Sequence, residues 1–182
     1  MTGKLFVLSG PSGAGKGTLR EHALKNIPDL VYSISCTTRE PRAGETDGIE
    51  YRFITPEKFE AGIKSNAFLE YAYVHGHYYG TLKNDVVNEL NQGRNVLLEI
   101  DVQGALQVRN KMPDAVLIFI APPSIEELKK RLTARNTESP ESLKLRLSNA
   151  LKELELQSEY NYVIVNDNLN IASQELRNIF TS

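Results

Sequence analysis

The sequence predicts an α/β fold in which a parallel β-sheet is flanked by helices. Four short apolar runs are rich in β-branched or aromatic residues, which is typical of strands buried on both faces of a parallel sheet. They occupy residues 5–8, 96–98, 116–120 and 162–165, and a fifth strand is expected at 31–35. Stretches with helical spacing of apolar residues follow these runs, and this alternation indicates right-handed βαβ units.

Apolar stripes predict three helices in the second half of the chain. The first stripe follows a capping-box pattern, in which Ser124 is the N-cap and Glu127 lies three residues later. The other two stripes span 143–154 and 172–180. Each of these helices is expected to pack its apolar face against the sheet.

The segment from about Cys36 to Thr81 interrupts this alternation. It is dense in tyrosine, glycine and charged residues, and residues 50–54 alternate in polarity as a half-buried strand does. Thr55 can cap a short helix whose first position is Pro56. The sequence therefore predicts an inserted lobe of small antiparallel strands and one helix at about 36–81, on a core at about 3–35 and 82–181.

Composition excludes several classes of protein. The chain has 182 residues, one cysteine, and 21 basic against 23 acidic side chains, so it lacks the basic surplus of a nucleic-acid binder. No apolar run approaches the ~20 residues of a membrane span, and the N-terminal residues do not resemble a signal peptide. We expect a soluble cytoplasmic protein with no nucleic-acid or membrane partner; the choice between monomer and homo-oligomer stays open.

A glycine-rich loop directly follows the first predicted strand and opens a helical stretch. It has the G-x-x-x-x-G-K pattern, whose backbone N–H groups cradle phosphates while the lysine reaches the outer ones. The pattern is Gly10-Pro11-Ser12-Gly13-Ala14-Gly15-Lys16. A Ser or Thr that ligates Mg²⁺ normally comes next, but here Gly17 precedes Thr18. This loop ending resembles that of nucleoside monophosphate kinases, and favours a kinase over a GTPase switch or a motor ATPase.

Arg39 and Arg42 lie three residues apart, separated by Pro41 and preceded by hydroxyl residues. Guanidinium forks bind phosphate oxygens bidentately, so this pair suits a phosphate dianion. Two nearby arginines can equally be a solvated surface pair. A second tyrosine-rich piece at 68–81, which contains Glu70, favours the phosphate site.

Several segments together resemble the guanylate kinase family. From Gly3 to about Thr181 and in family order, they are GPSGAGKGT, SCTTREPRAGE, GIEYRF, FLEYAYVHGHYYGT, EIDVQGA, IAPPS, RLTARNTES and VIVND. The resemblance implies a P-loop NTPase core, a GMP-binding lobe and a short helical lid at about 131–146 that closes over ATP. It implies Mg²⁺-dependent transfer of the γ-phosphoryl group of ATP to GMP, giving ADP and GDP in purine nucleotide metabolism and GMP recycling; the choice between GMP and dGMP as acceptor stays open.

Family positions assign roles to residues of this chain. Those implied to bind ATP are Gly10, Pro11, Ser12, Gly13, Ala14, Gly15, Lys16, Gly17, Thr18, Arg135, Arg146 and Asn166. Those implied to bind GMP are Ser35, Arg39, Arg42, Glu45, Tyr51, Glu70, Tyr79, Thr81 and Asp101. Those implied to take part in catalysis are Lys16, Arg39, Arg42, Arg135 and Arg146. Arg131 is a further candidate for the ATP phosphates.

Chemistry independently favours Glu70 as a reader of guanine. A carboxylate can accept from the adjacent N1–H and N2–H₂ donors of guanine, whereas adenine would present an unprotonated N1 to a desolvated anion. Without that context, Glu70 would be an exposed charge on a strand or helix.

No direct protein ligand for Mg²⁺ is expected. Glu99 and Asp101 share one side at the carboxyl end of a predicted strand and could reach the metal through water. The family usually has aspartate at position 99, so a charge pair that supports the loop is an equal alternative for Glu99. His75 and His77 are interpreted as lobe surface, and Cys36 as a packed small residue.

Two other functions stay open. Guanylate-kinase-like domains also serve as protein-interaction modules that transfer no phosphate, although the intact loop and lid arginines argue against that role. A kinase for another monophosphate, such as AMP or UMP, would share the same donor loop.

Overall fold

The computed structural model describes residues 3–134 and 140–182, which form an α/β fold. The strands in these ranges are β1 (Leu5–Ser9), β2 (Leu30–Tyr32), β3 (Cys36–Thr37), β4 (Arg52–Phe53), β5 (Phe68–Val74), β6 (His77–Leu82), β7 (Asn95–Glu99), β8 (Val116–Ala121) and β9 (Tyr162–Val165). The helices are α1 (Lys16–Asn26), α2 (Pro56–Lys64), α3 (Lys83–Asn91), α4 (Val102–Lys111), α5 (Ile125–Thr133), α6 (Pro140–Glu155) and α7 (Leu169–Phe180), and a 3-10 turn spans Leu156–Glu159.

The predicted parallel sheet is present, with strand order β2-β7-β1-β8-β9. β2 pairs with β7, and β8 pairs with both β1 and β9, in each case in parallel. The four apolar runs became β1, β7, β8 and β9. The fifth strand was predicted too long, because β2 ends at Tyr32 and the chain then leaves this sheet; Cys36 already pairs in the other one.

By contact density the chain divides into two compact units. The first comprises residues 3–5, Asp29–Leu98 and Gln103–Ala115, and contains the whole of the predicted lobe at 36–81. The second comprises the described residues of Phe6–Pro28, Glu99–Val102 and Val116–Ser182.

The first unit contains a second sheet with strand order β4-β3-β6-β5. One face of this sheet packs on α2, where the ring of Phe59 stacks against Phe68 and Tyr78 at centroid distances of 4.3 and 5.0 Å. Thr55 caps α2 by accepting from the Lys58 N–H at 3.3 Å, as its pattern predicted. The lobe is not wholly antiparallel, because β3 pairs with β4 in parallel.

Cys36 is buried in the same cluster, as expected for a packed small residue. Burial raises the pKa of its thiol to about 11, although Arg52 acts in the opposite direction. The thiol therefore stays protonated at neutral pH.

In the second unit, helices pack on the strands that flank the phosphate loop. Phe180 of α7 meets Phe6 of β1 edge to face, with ring centroids 4.8 Å apart. Leu128 and Leu132 of α5 pack against Ala150 of α6. The capping box predicted for α5 is present, because Ser124 Oγ accepts from the Glu127 N–H at 3.0 Å. Across 3–134 and 140–182, the helices lack the length and apolar character that crossing a membrane requires.

Candidate nucleotide-binding sites

The loop between β1 and α1 requires glycine at two positions. Gly10 has a φ of 137°, and a Cβ atom there would lie 2.2 Å from the carbonyl oxygen of Ile120. Gly15 has a φ of 89° and caps α1, and a Cβ atom there would lie 2.3 Å from Nδ2 of Asn166. Any other residue would be strained and crowded at both positions. The helix that follows starts at Lys16, so its unpaired N–H groups and partial positive charge lie at the loop.

Lys16 folds back over this loop. Its Nζ donates to the carbonyl oxygens of Gly10 at 2.6 Å and Pro11 at 2.9 Å. The ammonium is thus partly buried and held against the loop that the sequence predicts to bind phosphates. The other predicted loop residues lie in the same turn, and Thr18 is exposed on the first turn of α1.

Asn166 connects the end of β9 to the loop. Its Nδ2 donates to the carbonyl oxygen of Ala14 at 2.8 Å, and its main-chain N–H donates to Ala121 at 2.8 Å. Both terminal nitrogens of Arg131 donate to the Asn166 carbonyl oxygen at 3.2 Å. Arg131 also pairs with Glu127 at 3.0 Å. Asn166 is therefore a buried structural link, and Arg131 is bound to it and to its own helix.

Lys16, Asp101 and Glu153 of the second unit interact electrostatically. Burial raises the pKa of Glu153, on α6, to about 7; Lys16 acts against this shift and Asp101 adds to it. Burial also raises the pKa of the nearby Tyr160 hydroxyl to about 12, an effect to which Asp101 and Glu153 contribute. Lys16, Asp101, Glu153 and Tyr160 thus influence one another's charge state within the second unit.

Glu99 forms the charge pair that was one of its two predicted roles. Its Oε2 accepts from Arg20 Nη1 of α1 at 3.0 Å, and both side chains are largely buried. The pair ties the end of β7 to the helix that follows the loop.

The side chains near the loop suit a cation that is bound through phosphate groups and water molecules rather than directly by the protein. Within 3–134 and 140–182, no cluster of three or more His, Cys, Asp or Glu side chains could hold a metal directly. A Cβ atom at Gly17 would meet nothing within 4 Å, so space for a hydroxyl exists there but the residue supplies none. The negative charge near Lys16 comes from Asp101 and Glu153.

In the first unit, Arg39 and Glu45 form the centre of a second polar cluster. Arg39 Nη2 donates to Glu45 Oε1 at 2.9 Å, and the main-chain N–H of Arg42 donates to the other carboxylate oxygen at 2.7 Å. The hydrogen bond from Arg39 holds the pKa of Glu45 below its usual value. Glu45 therefore fixes both the guanidinium of Arg39 and the backbone that carries Arg42.

Aromatic rings complete this cluster. The Arg39 guanidinium lies 5.5 Å from the ring centroid of Tyr51, which in turn is 5.8 Å from that of Tyr79. Hydrogen bonding to Glu45, and to a lesser extent to Tyr79, raises the pKa of Arg39. The family resemblance assigns Arg39, Arg42, Tyr51 and Tyr79 to one phosphate and Glu45 to holding the arginines. The structure brings Arg39, Tyr51 and Tyr79 together beside Glu45, while Arg42 extends an exposed side chain from the same loop.

The face of the second sheet opposite α2 carries Glu70 and Thr81, two of the residues that the family resemblance assigned to GMP. Glu70 is 2 % exposed and accepts from Thr81 Oγ1 at 2.6 Å; the two residues are paired across β5 and β6. Tyr79 lies two residues before Thr81 on β6, so its side chain points to the same face. Ser35 is also buried in this unit. One strand therefore links the arginine cluster to the buried carboxylate.

The remaining predicted residues lie on α6, after β7, in the turn between β5 and β6, or outside the described residues. Arg146 lies half-buried on α6, and Asp101 lies between β7 and α4. Arg135 lies outside the described residues, as does part of the lid predicted at 131–146. His75 and Gly76 form the turn between β5 and β6 with φ values of 50° and 86°, and His75 is exposed, as predicted for lobe surface.

Comparison with known proteins agrees with this geometry. The guanylate kinase family model matches residues 2–182. The chain belongs to the guanylate kinase family. It is 52 % identical over 177 residues to a guanylate kinase of Clostridium perfringens, covering 97 % of this chain and 82 % of the relative. It is also 52 % identical over 177 residues to a guanylate kinase of Fusobacterium nucleatum, covering 97 % and 95 %.

A solved guanylate kinase has the same fold. The crystal structure of guanylate kinase from Anaplasma phagocytophilum matches with a TM-score of 0.81 at 34 % identity, covering 99 % of this chain and 85 % of that one. This likeness extends over both units, so the P-loop core and the second sheet are both features of the guanylate kinase fold.

The sequence of this guanylate kinase family member did not point to two charged residues of the second unit, Glu153 and Arg20. Glu153 gave no signal beyond being one acid on an amphipathic helix, because its neighbours Lys16 and Asp101 are distant in sequence. Arg20 was not considered, although its place in α1 above the carboxyl end of β7 gives Glu99 its partner.

Proposed function

We propose that this chain is a guanylate kinase that transfers the γ-phosphoryl group of ATP to GMP, giving ADP and GDP. The observation that carries the proposal is the buried Glu70–Thr81 pair, on the same sheet face as Tyr79, whose ring meets that of Tyr51 beside Arg39. A phosphate loop alone is common to many ATP- and GTP-using proteins. The second cluster adds a receptor for a purine with one charged end.

The donor site is the loop and the start of α1. Its N–H groups bind the phosphates of ATP, and Lys16 leaves the carbonyls of Gly10 and Pro11 to meet the outer phosphates. Arg146 and Arg135 supply further positive charge to the transferring group. Asn166 keeps the loop in shape through Ala14 and lies next to the proposed adenine-contacting segment.

The phosphate of GMP binds at the arginine cluster. Arg39 and Arg42 provide guanidinium donors, and the hydroxyls of Tyr51 and Tyr79 provide two more. Glu45 does not bind the phosphate itself, because like charges would repel; it holds the arginines in place.

The guanine base binds at the other end of β6. One oxygen of Glu70 already accepts from Thr81, so the carboxylate is held in one orientation with acceptor capacity left for N1–H and N2–H₂. Ser35 is a further base contact from the same unit, and Asp101 is assigned to the base by family position. AMP would leave this buried anion unpaired, which costs much of its binding energy.

The reaction needs no general base of unusual pKa. A phosphate oxygen of GMP is already anionic; it attacks the γ-phosphorus of ATP in line as the bond to the bridging β–γ oxygen breaks and ADP leaves. The protein neutralises charge and aligns the two nucleotides, and the proposed lid at about 131–146 and lobe at about 36–81 exclude water as a competing acceptor.

Mg²⁺ is the proposed cofactor. When bound, it neutralises charge on the β- and γ-phosphates. Gly17 offers no hydroxyl, so Asp101 and Glu99, at the end of β7, are the carboxylates proposed to hold the ion's water shell, and one oxygen of Glu99 is already paired with Arg20. Glu99 remains a second candidate through its other oxygen.

A coupled assay of ADP release tests the proposal. Turnover with ATP and Mg²⁺ should be much faster with GMP than with AMP or UMP, and dGMP should be the best alternative acceptor. Equal rates with AMP would indicate a kinase for other monophosphates. No acceptor-dependent ADP release would indicate a protein-interaction module.

A further inference from the structure

Two side chains of α4 hold the backbone of β5 on either side of Glu70. Lys111 Nζ donates to the carbonyl oxygen of Leu69 at 2.6 Å. The side-chain amide of Gln107 makes two bonds to Tyr71: its Oε1 accepts from the N–H at 3.2 Å, and its Nε2 donates to the carbonyl oxygen at 2.7 Å. We call Gln107 and Lys111 the α4 clamp.

The clamp satisfies main-chain groups that the sheet leaves unpaired. β5 is the last strand of its sheet, so the outward N–H and C=O groups of Tyr71 have no neighbouring strand. The amide of Gln107 offers one acceptor and one donor, as a peptide group of a further strand would. Gln107 thereby replaces a sheet neighbour at this one residue.

A bulge explains the second half of the clamp. Phe68 pairs with Leu82 and Glu70 pairs with Thr81, so Leu69 is an extra residue in β5. An extra residue of this kind is left out of the ladder and bends the strand. Lys111 satisfies its carbonyl oxygen. The bulge comes immediately before Glu70, and its shape helps to set the direction in which the Glu70 side chain leaves the strand.

The spacing of the clamp residues suits this task. Gln107 and Lys111 are four residues apart on α4, so they lie on one face of that helix and reach successive points on β5. The contacts span 36 and 42 residues of sequence, and they all lie within the first unit.

We propose that Gln107 and Lys111 are positioning residues for base selection, which act by fixing the main chain that aims the Glu70 carboxylate at guanine. The inference rests on the function proposed above, because it takes Glu70 to be the group that meets the base. The proposal gives neither clamp residue a contact with the nucleotide, because the side chains of both bind the main chain of β5. Small displacements of a buried hydrogen-bonding group lose much of its discrimination, so a strand free to shift would read the base less well.

The test compares Gln107→Met and Lys111→Met, which keep side-chain bulk and remove the hydrogen bonds. The KM for GMP should rise by about tenfold in the first variant and about fivefold in the second, whereas kcat and the KM for ATP change little. Lys111→Arg keeps a donor and should restore most of the loss. Asn110→Ala, an exposed neighbour on the same helix, is the control and should behave as the wild type.

Selectivity for the 2-amino group of guanine distinguishes a loss of Glu70 positioning from a general loss of affinity for GMP. IMP lacks this group, so the ratio of kcat/KM for GMP to that for IMP reports how well Glu70 reads it. The ratio should fall in Gln107→Met. In the background of Glu70→Gln, adding Gln107→Met should leave the ratio unchanged, because the group being positioned has already been altered.

The activity of the wild type distinguishes a failure of the proposed function from a failure of the proposed clamp role. No GMP-dependent ADP release by the wild type would overturn the proposed function itself. With normal wild-type activity, unchanged KM and GMP/IMP ratio in both clamp variants would overturn only the role of the clamp. A uniform loss of kcat with both substrates, with the ratio preserved, would also overturn it and indicate a purely structural contact.

Discussion

Asn166 is hydrogen-bonded to Ala14 across 152 residues of sequence, and the same amide nitrogen occupies the space that a side chain at position 15 would need. The shape of the phosphate loop is therefore set partly by the end of the last strand. A Cβ atom at position 15 would collide with this amide nitrogen, and without the amide the Ala14 carbonyl oxygen would lose its donor. The observed loop therefore needs both glycine at position 15 and an amide at position 166.

Replacing Asn166 with Leu tests this contact. The variant leaves the Ala14 carbonyl oxygen without its donor, which should lower the free energy of unfolding by about 1–3 kcal/mol and raise the KM for ATP. The KM for GMP should be unaffected. Urea unfolding and ADP-release kinetics measure the two effects, with Asn170→Leu on the exposed side of α7 as the control. An unchanged KM for ATP would mean that the loop keeps its shape without this bond.

Replacing Lys16 with Met should lower kcat by at least about a hundredfold, because the ammonium stabilises charge on the phosphates during transfer. GMP should still bind, since Lys16 serves only the donor. Turnover is measured by ADP release and GMP binding by titration calorimetry, and Lys25→Met, at the exposed end of α1, is the matched control. Undiminished turnover would remove Lys16 from the donor site.

Replacing Glu70 with Gln should reduce the preference for GMP over AMP by about a hundredfold. The neutral amide can turn a donor toward the unprotonated N1 of adenine, while guanine loses one charge-assisted bond. The ratio of kcat/KM values for the two acceptors measures the change. Glu60→Gln, on the exposed part of α2, should leave the ratio as it is. An unchanged ratio in Glu70→Gln would refute the proposal that Glu70 binds the guanine base.

Glu153 should make the stability of the protein depend on pH near neutrality. Its pKa is about 7 in the folded chain, against an ordinary value of 4.5, so between these pH values the folded state binds more protons than the unfolded state. The contribution of Glu153 to stability is therefore present below about pH 4.5 and is lost as the pH rises through 7.

Glu153→Gln removes this titration. The variant should lose less stability than the wild type between pH 5 and pH 8, as measured by urea unfolding in buffer that contains EDTA. Lys16, Asp101 and Tyr160 face the same cluster, so their titration is common to both proteins. Glu155→Gln, exposed on the same helix, is the control. Parallel stability curves for wild type and Glu153→Gln would contradict the raised pKa.

Local patterns predicted the parts of this protein that local geometry controls. The phosphate loop was predictable because Gly10, Gly15 and Lys16 act within a few residues of one another. The caps of Thr55 and Ser124 were predictable for the same reason. The buried strands stood out because a parallel sheet needs apolar residues on both faces.

Contacts between distant segments were not predictable from one sequence. The bond from Asn166 to Ala14, the pair of Arg20 with Glu99, and the α4 clamp each join elements whose approach depends on the completed fold. The end of β2 was missed because Ser33 is buried and still donates its N–H to Leu97, so its sequence resembles a strand although β2 ends at Tyr32. The pairing of β3 with β4 in parallel also depends on the intervening loop.

The alternation of side chains along β6 has a consequence for the size of acceptor. Tyr79 and Thr81 are two positions apart on β6 with one residue between them, a rise of about 7 Å that the extended backbone fixes. In the acceptor site proposed above, β6 would therefore fix the distance between the phosphate and the purine of GMP. A nucleotide with a second phosphate would keep its base but carry its terminal charge beyond Tyr79, so the product GDP would fit this site less well than GMP.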